Sequence, residues 1–184
     1  MRGSRKLAAV GMAHCRPLGW RRRTRHTLAF VTTVGDDAAG TLVERAEGVA
    51  RRAHGRQVDK AGLPYIGHPE RVAAAVAGDP VAQAVAWLHD VVEDTDVTLA
   101  DLRDAGLPER VVVAVDAITR RDEEPRDDYY ARVANDPIAL RVKRADIADN
   151  SGSQRMGLLD EATQARLRAK YAHALATLDR LAAG

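Results

Sequence analysis

An all-α fold is what this sequence predicts: a single bundle of about seven or eight helices behind a basic N-terminal tail. Three observations predict it. From Thr41 onward apolar residues recur at helical spacing, first as Leu42, Ala46, Val49, Ala50 and Ala53. No alternating run long enough for a strand interrupts them. Hydrophobic residues make up 46% of the 184 but aromatics only 4%, so the core must be built from Ala, Val and Leu, and Ala and Leu favour helices.

The elements follow in order. The first helix runs from Thr41 to about His54, and a polar stretch from Gly55 to Gly67 carries Gly62 and Pro64 as turn signals. Pro69 suits the first turn of the next helix, where its missing N–H is not needed. That helix continues through Val72, Ala73 and Val76 and stops at Gly78-Asp79-Pro80. Val81 to about Glu93 reads as one helix, the most apolar of the chain. Thr98 caps a short helix that Gly106 ends, and Pro108 opens another reaching about Thr119. Arg120 to Arg126 is a charged linker; helices at about 127–134, 137–150 and 160–182 complete the bundle, with Ser151 to Gly157 as a loop.

Two parts are expected, a disordered basic tail over residues 1–38 and one folded domain over 39–184. Residues 1–35 carry eight cations and no Asp or Glu, which leaves the remainder with 20 cations against 26 anions, a net −6. The basic whole-chain balance of +2 therefore comes from the tail, and the acidic folded part is a poor partner for duplex nucleic acid. A single cysteine, Cys15, excludes an intramolecular disulfide and a cysteine-based zinc site, as a reducing cytoplasm would allow. No run approaches the roughly 18 apolar residues of a membrane span. A cytoplasmic protein that binds neither membrane nor duplex is expected; homo-oligomerisation is left open.

The chemistry concentrates in a few short stretches. Pro64-Tyr65-Ile66-Gly67-His68-Pro69 opens the second helix, and a polar and basic segment, His54 to Lys60, precedes it. His89-Asp90-Val91-Val92-Glu93-Asp94 ends the apolar helix, where four polar side chains would be costly to bury without partners. In a continuous helix His89 and Glu93 would share a face, as would Asp90 and Asp94. Imidazole beside carboxylate at a core edge offers neutral nitrogen and anionic oxygen, a donor set suited to Mn²⁺, Fe²⁺ or Zn²⁺. Taken alone, the stretch reads more readily as a helix end coming to the surface. Val142 to Asn150 is a further stretch, and Val142, Ala145 and Ala148 around Asp146 suggest a helix buried on one side.

The order of these stretches changes that balance. His68 is followed 21 residues later by His89-Asp90, and Asp146 comes 56 residues after Asp90. This resembles the H…HD…D set of the HD-domain phosphohydrolases. More specifically, Asp59 to Pro69 (D-K-A-G-L-P-Y-I-G-H-P) looks like the opening motif of the hydrolase domain in RelA/SpoT-type alarmone enzymes. His89 to Thr95 (H-D-V-V-E-D-T) looks like that branch's catalytic motif, and V-K-R-A-D-I-A-D-N at 142–150 resembles its V-K-L-A-D-x-x-x-N motif. The resemblance covers about residues 41–180.

It implies a single HD-domain bundle in which His68, His89, Asp90 and Asp146 hold one divalent metal, Mn²⁺, while Glu93 and Asp94 activate or orient the attacking water. Asn150 would contact the nucleotide sugar, and Lys60 and Lys143, with Arg144, would add cationic contacts to the pyrophosphate. The implied activity is hydrolysis of the 3′-pyrophosphate of a nucleotide such as ppGpp to GDP and pyrophosphate. The alternatives are an HD-fold hydrolase of another phosphorylated nucleotide or cofactor, and a catalytically silent nucleotide-binding module. Three departures bear on substrate more than on reaction. Position 144 is Arg where an apolar residue is usual, position 149 is Asp where the closest enzymes vary, and Gln57 and Val58 thin the basic cluster.

Overall fold

The computed structural model describes residues 41–59, 62–157 and 159–183, without the side chains of 154 and 155. The tail over 1–38 and Lys60 lie outside the described residues. Among those described, every regular element is helical: α1 Leu42–His54, α2 Gly67–Ala75, α3 Pro80–Leu88, α4 Val91–Asp94, α5 Leu99–Asp104, α6 Glu109–Ile118, α7 Arg126–Ala134, α8 Pro137–Ser151, α9 Ser153–Met156 and α10 Glu161–Ala182. The all-α expectation holds. Two single-turn helices, α4 and α9, carry the count past eight.

Local sequence sets most of the starts. Thr41 and Glu44 form a reciprocal capping box on α1, as Thr98 and Asp101 do on α5. Asp79 and Asp136 each cap a helix whose first residue is proline, α3 and α8, by accepting two backbone N–H groups. Gly106, at φ +75°, takes the left-handed conformation that terminates α5.

The α3 helix is the axis of the bundle. Val81, Ala82, Ala84, Val85, Ala86, Trp87 and Leu88 are all buried, and α1, α2, α6 and α8 pack around them. A helix apolar on every side is stable in water only when surrounded in this way, each large side chain contributing about 1.5–3 kcal/mol on full burial. The small Ala faces permit close helix approach. The α10 helix covers α7 and α8.

Two expectations need correction. The helix read as continuous from Val81 to about Glu93 is two helices, because α3 stops at Leu88 and Asp90 departs from helical geometry at φ −105°, ψ −5°. The loop read over Ser151 to Gly157 contains α9, closed by backbone bonds from Met156 and Gly157 to Gly152 and Ser153.

Candidate metal centre

Three helices meet at one end of α3. The α2 helix brings His68 in its first turn, the end of α3 brings His89 and then Asp90, and the middle of α8 brings Asp146. His68, His89 and Asp146 are all buried, each offering one donor atom within 4.8 Å of the others. His68 Nε2 lies 3.2 Å from Asp146 Oδ1 and 3.8 Å from Asp90 Oδ2. His89 Nε2 lies 3.0 Å from Asp90 Oδ2 and 3.9 Å from Asp146 Oδ1. Positions far apart in the chain are thus brought to one point.

The loop ahead of α2 is what aims His68. Tyr65 N–H donates to Gln57 O at 2.9 Å and Asp59 N–H to Leu63 O at 2.8 Å, so the polar stretch folds back as a short antiparallel pairing. Tyr65 then turns its hydroxyl onto Asp90 Oδ2, and its ring packs between His54 and His68.

The outer nitrogens of both imidazoles are committed. His68 Nδ1 meets Asp149 Oδ2 at 2.7 Å, and His89 Nδ1 meets the Ala86 carbonyl at 2.7 Å. A carbonyl and a carboxylate only accept, so each Nδ1 carries a hydrogen, and each ring, when neutral, presents its Nε2 lone pair inward. Those lone pairs face the oxygens of Asp90 and Asp146. Despite its closeness to Asp90, His89 Nε2 is out of hydrogen-bond alignment and has no such partner. Two ring nitrogens and two carboxylates converging on one buried place are satisfied either by protons on the rings or by a cation between them. A divalent cation with mixed nitrogen and oxygen ligands fits this donor set.

The titration behaviour has the same cause. Burial alone would lower the pKa of His89, but the Asp90 and Asp146 carboxylates outweigh it and push the ring up to about 9. His68 is likewise raised against its burial by Asp146 and Asp149. Burial would raise the two carboxyls; instead Asp90 is held well below the carboxylate range by the imidazoles, chiefly His89, and Asp146 by Lys143 and then the imidazoles.

The remaining residues singled out from sequence fall in different places. Glu93, on α4, accepts the Arg120 backbone N–H at 3.0 Å. That loop is fixed by Arg132, which binds the Asp116, Ala117 and Thr119 carbonyls at the end of α6 and forks onto Glu124. Asp94 is part-buried and adds negative charge near Tyr65. Lys143 is directed inward, with Nζ 2.9 Å from Asp146 Oδ2 and 5.5 Å from the Tyr129 ring centre, and its side chain is only 16% exposed. Asn150 donates its amide to Asp146 Oδ1 at 2.5 Å. Arg144 points away, to Asp179 on α10 at 2.5 Å.

Sequence reasoning gave no site role to Tyr65, His54 or Asp149. Tyr65 lay inside a quoted motif, and the i,i+3 spacing of Asp146 and Asp149 on one helix face was the available signal for the last. His54 is buried with Nδ1 on Gln57 Oε1 at 2.6 Å and its Nε2 without a hydrogen-bond partner.

Comparison with known proteins extends the picture. No family model matches the chain. It is 37% identical over 126 residues to a GTP pyrophosphokinase of Streptomyces coelicolor, covering 61% of this chain and 15% of that protein. It is 34% identical over 119 residues to a guanosine-3′,5′-bis(diphosphate) 3′-pyrophosphohydrolase of Aquifex aeolicus, covering 59% of this chain and 17% of the relative. A Vibrio cholerae protein of the same name is 44% identical over 91 residues, 47% of this chain and 13% of that one. Among solved structures, one described as a metazoan ortholog of SpoT that hydrolyzes ppGpp superposes with a TM-score of 0.65 at 20% identity, covering 77% of this chain and 88% of that one. The chain is thus similar in sequence to segments of these guanosine polyphosphate enzymes and shares the all-helical fold of the SpoT ortholog. It spans only about a sixth of the length of the curated relatives it matches.

Proposed function

We propose that this RelA/SpoT-like chain is a metal-dependent phosphohydrolase that removes the 3′-pyrophosphate of a guanosine nucleotide such as ppGpp, giving GDP and pyrophosphate. One observation carries the reading: the inward Nε2 atoms of His68 and His89 and the Asp90 and Asp146 oxygens converge on one buried point, 3.0–3.9 Å from one another. The similarity to Aquifex and Vibrio proteins named for that hydrolysis supports it.

In this reading His68, His89, Asp90 and Asp146 hold one divalent cation, Mn²⁺, which supplies Lewis acidity for the attacked phosphoryl group. The chain's own groups do the rest. Glu93, kept in place by the Arg120 N–H, accepts the proton of the attacking water, and Asp94 orients that water. As the new P–O bond forms, the bond from phosphorus to the 3′ oxygen breaks, and the departing 3′ oxygen takes up a proton to leave a hydroxyl on GDP. Lys143 offsets charge beside Asp146, Lys60 contacts the substrate, and Asn150, donating to Asp146 Oδ1, steadies that ligand. A cytoplasmic setting, where such nucleotides occur, fits this reading.

The test incubates the Mn²⁺-loaded protein with ppGpp, other purine and pyrimidine nucleotides and phosphorylated cofactors, and identifies every product by chromatography. GDP with pyrophosphate is the expected result. Phosphate released only from another substrate would retain the phosphohydrolase and reject the guanosine 3′-pyrophosphate. No turnover of anything would leave a helical binding module.

A further inference from the structure

The imidazole of His68 is gripped at both ends by one helix. The α8 helix sets Asp146 Oδ1 3.2 Å from Nε2 and, one turn later, Asp149 Oδ2 2.7 Å from Nδ1. Asp149 is itself pinned from α2, where Arg71 Nε donates to Oδ1 at 2.6 Å and Nη2 to Oδ2 at 3.0 Å. Such a two-pronged fork fixes the plane of a carboxylate as well as its position. The backbone leaves room for it. A Cβ at Gly67, one residue before His68, would stand 3.3 Å from Arg71 Nη1. Asp149 is 13% exposed and Arg71 53%, so the carboxylate lies inside while its partner reaches it from the surface.

We propose that Asp149 and Arg71 are positioning residues for the metal centre. Asp149 holds the hydrogen of His68 on Nδ1 and fixes the ring so that its Nε2 lone pair faces Asp90 and Asp146, and Arg71 holds Asp149. The proposal rests on the metal reading above and deepens it. A carboxylate behind a ligating imidazole sets its tautomer and direction and strengthens it as a donor, and loss of such a partner typically costs about 10–100-fold in metal affinity. Because Arg71 and His68 belong to α2 while Asp146 and Asp149 belong to α8, the Arg71–Asp149–His68 chain also sets the spacing of two ligand-bearing helices.

The experiment measures Mn²⁺ affinity by calorimetric titration of the full chain, stripped of metal beforehand, beside its melting temperature without metal. Asp149→Ala is expected to weaken Mn²⁺ binding by about 10–100-fold. Arg71→Gln, a change at a half-exposed side chain, is expected to weaken it less, by a few-fold. The double variant Arg71→Asp with Asp149→Arg restores opposite charges across the helices without returning a carboxylate to His68 from α8. It is expected to recover melting temperature but not affinity. Wild-type affinity in Asp149→Ala would overturn the proposal, as would recovery of both quantities in the double variant. Should Asp149→Ala not fold, wild-type affinity in both Asp149→Asn and Arg71→Gln would overturn it instead. Asp146→Ala separates the two readings. If it abolishes binding while the Asp149 and Arg71 variants bind normally, only the positioning role falls; if the wild type binds no Mn²⁺, the metal reading falls with it.

Discussion

The hydroxyl of Tyr65 donates to Oδ2 of Asp90, the same oxygen that lies 3.0 Å from His89 Nε2. The bond ties the loop before α2 to the break after α3, and it gives a buried anion one of its few donors. Tyr65→Phe leaves the ring in place and removes that donor. The metal-free protein is expected to lose about 1–3 kcal/mol of stability, the usual cost of stripping a hydrogen bond from a buried polar group. Urea unfolding at neutral pH measures it, and an unchanged midpoint would show that water substitutes freely at Asp90.

Glu93→Gln keeps size and still accepts from the Arg120 N–H but removes the basic carboxylate. Turnover of the best substrate is expected to fall by about 10²–10⁴-fold, with bound Mn²⁺ unchanged. Steady-state kinetics and metal content on the same preparation decide it. Full activity in this variant would remove Glu93 from the proton transfer.

For Asn150 sequence and structure point to different outcomes. The sequence resemblance assigns it to the sugar, so Asn150→Ala would raise KM alone. Its amide donates to Asp146 Oδ1, one of the oxygens facing the imidazoles. The expected outcome is therefore a Mn²⁺ affinity weakened by about tenfold, the low end for a partner behind a ligand. A higher KM with normal metal affinity would return the amide to the substrate.

Glu124 predicts the acid limb of stability. Burial would raise its carboxyl, but the Arg132 fork and the Arg121 N–H hold it below the ordinary value of 4.5. Its folded pKa is thus lower than its unfolded one, so its contribution is complete above about 4.5 and is lost as pH falls through the lowered value. Glu124→Gln is expected to melt below wild type at pH 7, with the difference closing under acid conditions. Melting temperatures from pH 3 to 8 test this, and a constant gap would contradict it.

Much was legible in the chain itself. Helical periodicity, proline at the first turns of α3 and α8, and the Thr98 cap are consequences of backbone chemistry within four residues, and the sequence displays them directly. The order of His68, His89, Asp90 and Asp146 was readable as a resemblance to the H…HD…D set, while each stretch taken alone read as a helix end or an ordinary helix residue. Packing decided what those partners are. His68 and Asp149 lie 81 positions apart and meet because α2 docks on α8. Periodicity cannot report that, since it records only neighbours on one helix. The break at Asp90 was hidden because no glycine or proline marks it in the sequence. Lys143, which composition alone would place in water, is directed inward, where its ammonium pairs with Asp146. The sequence determined a helical bundle and the chemical types of its donors; the docking of α2 on α8 decided which nitrogen of His68 faces inward, because its acceptor Asp149 comes from another helix, whereas His89 takes its acceptor from Ala86 on its own.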